Sequence, residues 1–246
     1  MIRVALAGHH GKTGSALVPA LTSAQGFEYI GGVGSADDMR AFLRENRPQA
    51  LVDFTHPAVA LDNALAAVAA GAAPVIGTSG LGPQAVDELE AACQEAGVGG
   101  IVAPNFAIGA VLMMHVAEQI APFFDAVEVI EMHHAAKADA PSGTALATAR
   151  RLAARKGAGF SYNRPEKITM QNTRGGEEGG VGVHSVRLPG LVADQQVMFG
   201  LPGQTLTITH RTTSRECYAP GVLLAISRVV AEPRFYRGLD ALLGLQ

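Results

Sequence analysis

The chain has 246 residues, of which 48% are hydrophobic and 17% charged, with a formal net charge of −3. That length suits one large domain or two modest ones, and so apolar a chain buries a proper core instead of staying disordered. The charge balance lacks the basic footprint of a nucleic-acid binder, and no apolar stretch reaches the roughly 20 residues that span a membrane.

Two cysteines, Cys93 and Cys217, lie far apart and form no CxxC pair, so two reduced thiols in a reducing compartment are expected. The opening run MIRVALAG is too short and too glycine-bounded for a signal peptide. A soluble cytoplasmic protein with no nucleic-acid or membrane partner is the expectation.

The first hundred residues alternate strand and helix signals. Ile2–Ala7 is an apolar run ending at glycine, as a buried parallel strand does. A helix is predicted over Ser15–Ser23, a strand over Phe27–Val33 and a short helix over Asp37–Arg44. Ala50–Thr55 reads as a third strand, and Pro57 opens an alanine-rich helix to Ala70. Pro74–Thr78 is a fourth strand, Pro83–Ala96 a helix and Gly100–Ala103 a fifth strand. This rhythm predicts a doubly wound parallel sheet.

After Asn105 the rhythm changes. A helix at Ala110–Ala121 leads to a strand at Ala126–His133 and a helix at Ser142–Arg155. Gln171–Gly182 reads as a mobile loop, because glycine clusters resist order. Strands at Val183–Leu188, Gln195–Phe199 and Thr205–Arg211 predict a mixed or antiparallel sheet, and Pro220 precedes a last helix, Gly221–Ala231. The fold class expected is α/β: a Rossmann-type doubly wound sheet, residues 1–106 and 214–246, with an inserted α+β domain, residues 107–213.

Between the first strand and helix stand Gly8, His9, His10, Gly11, Lys12, Thr13 and Gly14, a G-x-x-G-x-x-G variant of the dinucleotide fingerprint. Glycines let the backbone turn tightly beside a pyrophosphate, and the helix start offers free N–H groups and its positive dipole end. Lys12 and His10 are placed to add charge. No carboxylate or cysteine sits at ligand spacing from the paired histidines, so no metal is expected there.

An NAD site ordinarily carries an acid at the end of strand two. Here that strand ends Gly31-Gly32-Val33-Gly34-Ser35, with Asp37 and Asp38 a few residues late. Reduced repulsion of a 2′-phosphate, with Lys12 or Arg40 to pair with it, predicts that NADPH is accepted at least as well as NADH. The loops Gly77-Thr78-Ser79-Gly80 and Ala103-Pro104-Asn105-Phe106 follow strands four and five and are candidates for the nicotinamide ribose and ring.

The densest chemistry is Glu131–Ala145, EMHHAAKADAPSGTA. Adjacent strand residues point to opposite faces, so His133 and His134 share a pocket only if the strand ends or bulges there. Lys137 follows in a loop, and Ser142-Gly143-Thr144 opens a helix with a good N-cap and an anion-receiving start. Cations beside a helix N-terminus suit a substrate bearing carboxylates, and histidine suits proton transfer near neutral pH. Adjacent histidines chelate one ion awkwardly, so no metal is expected here either. On the residues alone three functions stay open: a reductase of a dicarboxylate, another Rossmann enzyme such as an amino-acid dehydrogenase or sugar oxidoreductase, and a non-catalytic protein that senses NAD(P)H.

The stretch EMHHAAKADAPSGTA resembles the signature of the dihydrodipicolinate (4-hydroxy-tetrahydrodipicolinate) reductase family. The resemblance runs through GHHGKTG, DFTHP at Asp53–Pro57, GTSG at Gly77–Gly80, APNFAIGAVLM at Ala103–Met113 and HSVRLPGLVADQQVMFG at His184–Gly200. It implies that His133 is proton donor and acceptor, that Lys137 is a second proton donor, and that His134 with Ser142, Gly143 and Thr144 holds a small dicarboxylate. It also implies that Gly8–Thr13 bind the pyrophosphate of NADPH or NADH, with Gly34 near the adenosine end. Gly77–Ser79 and Ala103–Phe106 would then lie at the nicotinamide end. A homotetramer assembled through the second domain, acting in lysine and diaminopimelate synthesis, completes what the resemblance implies.

Overall fold

The computed structural model describes residues 1–245. In the first half the elements are β1 (Ile2–Ala7), α1 (Lys12–Ser23), β2 (Phe27–Val33), α2 (Met39–Asn46), β3 (Ala50–Asp53), α3 (Pro57–Ala69), β4 (Ala73–Ile76), α4 (Pro83–Ala96), β5 (Gly100–Val102) and α5 (Ile108–Ile120). Then come β6 (Ala126–His133), α6 (Gly143–Lys156), β7 (Gly176–Glu178), β8 (Val181–Arg187), β9 (Ala193–Leu201), β10 (Gln204–His210), α7 (Ala219–Ala231), β11 (Phe235–Arg237) and α8 (Leu239–Leu243). Two compact units result, Met1–Val111 with Arg215–Gln246, and Leu112–Ser214. No helix among the described residues is long and apolar enough to cross a membrane.

The first unit holds a six-stranded sheet in the order β11-β5-β4-β3-β1-β2, with every pairing parallel. Its central strands β3 and β4 are buried at every position, without alternation, because both faces are covered. On one face Leu17 and Leu21 of α1 meet Val222, Ile226 and Val229 of α7 over Val4, Leu6, Val52 and Val75. Leu17 and Leu21 lie one turn apart on the same stripe of α1, and each such burial is worth about 1.5–3 kcal/mol. On the other face Ala60, Ala64 and Val68 of α3 pack with Leu89 and Cys93 of α4 around Ile76. The strand order reverses at β1, with β2 on one side and β3 on the other. In doubly wound sheets that switch point, at the carboxyl ends of the strands, is where ligands bind.

In the second unit a mixed sheet runs β10-β9-β6-β8-β7, with only β6 and β8 parallel. Ala145, Ala149 and Leu152 of α6, with Met113 and Ala117 of α5, cover Val127, Val129, Val183, Val197 and Phe199. Side chains two apart on a strand share a face, so Glu131 and His133 point the same way as Val127 and Val129. The opposite face is half-open, and β10 is exposed along most of its length.

Two expectations need correction. Residues 171–182 are not an unstructured loop: β7 pairs antiparallel with β8 across Gly179 and Gly180, whose φ values of 60° and 83° give the left-handed pair of a two-residue hairpin turn. Glycine there makes the turn possible instead of opposing order. The sheet of the first unit also has a sixth strand, β11, which pairs with β5 across Phe235↔Gly100.

Candidate active site

The glycine turn after β1 is built by steric necessity. Gly8 has φ +81°, and a Cβ there would lie 2.6 Å from the Phe54 carbonyl oxygen; a Cβ on Gly14 would lie 2.2 Å from the oxygen of Gly8. Gly8 therefore makes the turn and Gly14 lets α1 sit against it. Gly11 is the N-cap of α1 and has no side chain to offer the first-turn N–H groups. The helix start is left to an external anion. Lys12 is exposed at the first helical position and Thr13 is half-buried beside it.

A cavity of about 710 Å³ opens at the switch point between β1 and β3. Gly8, His10, Gly11 and Gly34 line it, with Asp37, Phe54, Thr55, His56 and Asn63. His9 faces elsewhere: its ring lies against Gly32, where a Cβ would come within 2.1 Å of His9 Cγ, and its Nδ1 is buried without a hydrogen-bond partner. An uncapped helix start, a turn free of side chains and a cavity at the strand ends fit a dinucleotide. Strand two does end without an acid at Gly34, but the space beside Gly34 is not free of one. Asp37 turns back and its Oδ2 accepts a hydrogen bond from the Gly34 N–H at 2.7 Å.

The walls of this cavity are braced by a residue that sequence reasoning passed over. Asp53, fully buried at the end of β3, accepts hydrogen bonds through Oδ1 from the Thr55 N–H at 3.0 Å, the Thr55 hydroxyl at 2.7 Å and the Thr78 hydroxyl at 2.6 Å. Its Oδ2 accepts from the Asn63 amide at 2.8 Å. Thr78 is thus committed to holding two loops together. Gly77 gives room to the Phe54 ring, which would meet a Cβ at 2.2 Å, and Ser79 is exposed. Ala103 and Phe106 are core residues. Pro104 is exposed, and Asn105 Oδ1 accepts from the Ala107 N–H at 2.8 Å. In that loop the Ala103 and Phe106 side chains therefore pack inward, and Asn105 is half-buried.

In the second unit β6 stops at His133, so His134 is freed from strand alternation and Lys137 falls in the connecting loop. Ser142 caps α6, its hydroxyl accepting from the Ala145 N–H at 3.1 Å. A Cβ on Gly143 would meet nothing within 4 Å, which leaves the helix start open. Lys137 Nζ lies 2.7 Å from Asp139 Oδ1. Here the structure brings His133, Lys137 and the Ser142–Thr144 helix start into one stretch of chain around a centre that spacing alone did not identify.

That centre is Glu131, which has no solvent exposure. Arg187 grips it bidentately, Nη1 to Oε2 at 2.9 Å and Nη2 to Oε1 at 2.8 Å; the Ser142 N–H donates to Oε1 at 3.2 Å. His133 Nδ1 lies 2.5 Å from Oε2. Burial pushes the Glu131 carboxyl up, but hydrogen bonds from Arg187, Ser185 and His133 together hold it below the ordinary carboxylate value. As an ionised acceptor it receives a hydrogen bond from Nδ1–H and leaves His133 Nε2 for external chemistry. Burial is the largest influence on His133 and depresses it; Glu131 opposes this, Lys137 and Arg187 reinforce it, and the net is below the ordinary imidazole value. The signal in the sequence was a glutamate two residues before His133, on the strand face that Val127 and Val129 bury. Arg187 gave no local signal, since it reaches Glu131 only through the parallel register that sets it beside His133. Among the described residues no cluster of three or more His, Cys, Asp or Glu is placed to hold a metal ion.

Known proteins resemble this chain along almost its whole length. Family models described as dihydrodipicolinate reductase N-terminus and C-terminus match residues 2–106 and 109–243. A 4-hydroxy-tetrahydrodipicolinate reductase of Mycolicibacterium smegmatis is 42% identical over 99% of this chain and 100% of its own. One of Moorella thermoacetica is 49% identical over 86% of this chain and 79% of its own. A solved structure described as dipicolinate-bound dihydrodipicolinate reductase from Paenisporosarcina superposes with a TM-score of 0.88 at 34% identity, covering 98% of this chain and 99% of its own. An amine dehydrogenase from Mycobacterium smegmatis, at TM-score 0.64 and 14% identity, shares the fold alone. The chain therefore belongs to the dihydrodipicolinate reductase family, a family of NAD(P)H-dependent oxidoreductases.

Proposed function

We propose that this chain reduces 4-hydroxy-tetrahydrodipicolinate to tetrahydrodipicolinate with NADH or NADPH, the 4-hydroxyl leaving as water to give a conjugated ring that then takes up hydride and a proton; this is the substrate for which its relatives are named. The observation that carries the reading is the Glu131–His133–Arg187 assembly beside the start of α6. It couples a positioned imidazole to an anion-receiving helix end, in a chain that also folds a dinucleotide turn.

In this reading residues 1–106 and 214–246 bind the dinucleotide. Gly8–Thr13 and Gly34 serve its pyrophosphate and adenosine side, and Gly77–Ser79 and Ala103–Phe106 its nicotinamide side, with Ala103 and Phe106 acting through backbone. Residues 107–213 bind the substrate and self-associate. When bound, the nicotinamide supplies hydride. His133 holds the proton to be delivered at Nε2, with Nδ1 fixed by Glu131, and Lys137 is a second donor. His134 and the N–H groups of Gly143 and Thr144 receive a carboxylate, while the Ser142 hydroxyl stays occupied as the cap. Negative charge developing on the conjugated ring meets cations already in place, which is where electrostatic stabilisation is strongest. A bound dicarboxylate also favours the protonated form of His133, so substrate arrival charges the acid that the reaction needs.

The half-open face of the second sheet, where alternate residues of β6 and β9 are only partly buried, supports a homotetramer built through that face. A cytoplasmic location follows from the same reading. The test is oxidation of NADH and NADPH at 340 nm with the condensation product of pyruvate and aspartate semialdehyde generated in situ. Oxidation dependent on that product is expected. Folded protein that binds cofactor and oxidises neither would overturn the reading in favour of a non-catalytic sensor.

A further inference from the structure

Past the end of β2 the chain turns back on itself. The Asp37 N–H donates to the Gly34 carbonyl at 3.3 Å, and the Gly34 N–H donates to Asp37 Oδ2 at 2.7 Å. A Cβ placed on Gly34 would lie 3.4 Å from that same oxygen and 3.8 Å from the rings of His9 and His10. The Asp37 carboxylate thus fills the space that an acidic side chain rooted at the strand's end would occupy. Asp37 is exposed and lines the cavity that also holds Gly8, His10 and Gly11. Asp38, by contrast, is spent on the next helix, where its Oδ1 accepts from the Ala41 N–H at 3.0 Å. Neither Lys12 nor Arg40 is among the residues that line the cavity.

An acid at the end of strand two is what dinucleotide folds use to receive the adenosine ribose hydroxyls, and it repels a phosphate in their place. We infer that Asp37 is this chain's cofactor-selecting residue, supplying from three positions downstream the carboxylate that Gly34 lacks, and that the site prefers NADH to NADPH. This reverses the preference expected from the strand's own last residues. The inference rests on the proposed dinucleotide role of the cavity. Oδ2 is engaged by the Gly34 N–H, and Oδ1 is left to accept a ribose hydroxyl. A carboxylate within a few ångströms of a doubly charged phosphate disfavours it by roughly tenfold or more even in a water-like medium.

The test is equilibrium titration of NADH and of NADPH, followed by nicotinamide fluorescence, with the full chain and three variants. Asp37→Asn retains an acceptor for the Gly34 N–H and removes only the charge, Asp37→Ser removes both, and Asp38→Ser keeps a helix cap and serves as the control. The wild type is expected to bind NADH roughly tenfold or more tightly than NADPH. Asp37→Asn and Asp37→Ser should shift that ratio towards NADPH by a similar factor, with Asp38→Ser unchanged. A wild type that binds both cofactors equally, or a ratio unmoved by Asp37→Asn, overturns the inference and leaves the cavity's role intact. Failure of the wild type to bind either cofactor overturns the inference together with the dinucleotide reading beneath it.

Discussion

Glu131 Oε2 lies 2.5 Å from Nδ1 of His133, and the carboxylate that makes this contact has no exposure to solvent. An isolated buried carboxylate is unstable. This one persists because Arg187 binds both oxygens and the Ser142 N–H takes a further lone pair. The imidazole is therefore held in one tautomer by a group that is itself held in place. Removing any member leaves the others with unmet charge or hydrogen bonds.

Glu131→Gln tests the assembly. Arg187 would lose its ion pair at a buried carboxylate, and the expected loss of stability is roughly 3–5 kcal/mol. His133 would also lose the one protein group that raises its pKa, so the alkaline limb of the kcat/KM profile should move to lower pH. A stability loss with an unmoved limb would mean that Glu131 supports the fold without positioning the histidine.

Stability should depend on pH in the same sense. His133 and His210 both lie below the ordinary imidazole value in the folded chain, in each case mainly through burial. The unfolded chain then binds more protons as pH falls below about 6.5, so their contribution is present above that pH and is lost below it. Glu131, depressed in the fold, adds a second loss as pH falls below the ordinary carboxylate range. Urea midpoints measured from pH 8 to pH 5 should decline on the acid side. A midpoint that rises on acidification would contradict the network.

Asp53→Ala should act through the cavity walls. The substitution takes the carboxylate acceptor from the buried Thr78 hydroxyl and from the half-buried Asn63 amide and Thr55 hydroxyl, while the Thr55 N–H keeps Thr78 Oγ1 at 2.8 Å. Roughly 3 kcal/mol or more of stability is expected to go, with weakened NADH binding. Thermal unfolding and cofactor titration read the two effects. An unchanged NADH affinity would separate the brace from the dinucleotide site.

Two glycines make a paired steric test. Gly14→Ala places a methyl 2.2 Å from the Gly8 carbonyl oxygen, so the turn must move, and NADH affinity should fall tenfold or more. Gly143→Ala meets nothing within 4 Å, so the melting temperature should hold while dicarboxylate binding weakens at the crowded helix start. Equal loss of stability in both would contradict the roles assigned to them.

Lys137→Met should separate chemistry from fold. The pair with Asp139 is largely in solvent on the carboxylate's side, with Asp139 61% exposed, so its contribution to stability is below about 1 kcal/mol. Turnover should fall by about 10²-fold or more with an unchanged melting temperature. Turnover near the wild-type value would leave Lys137 as a surface charge.

Much of this was legible in the chain, and the remainder was hidden for identifiable reasons. The apolar run of β1, the glycine turn and the buried strands that follow declare themselves locally, because sheet burial and tight turns constrain neighbouring residues. His133, His134 and Lys137 were readable as a cluster because they are adjacent in sequence. Arg187 was not, since it joins Glu131 from 56 positions away through strand register. Asp37 shows the limit of linear distance: its place in the chain put it past the strand's end, while the turn from Gly34 brings its carboxylate back to the Gly34 N–H. β11 is three residues long and pairs with β5 far upstream, so no periodicity announces it. The glycines at Gly179 and Gly180 suggested mobility where their left-handed φ values close a hairpin.

The most direct test of the central claim is single-turnover NADH oxidation by His133→Gln beside the wild type, with NADH affinity measured on both. The rate should fall by roughly 10²–10⁴-fold, as loss of a positioned proton donor does, with NADH affinity within about twofold of wild type. An unimpaired rate, or a variant that no longer binds NADH, would contradict the assignment of His133 as the proton-delivering residue of this reductase.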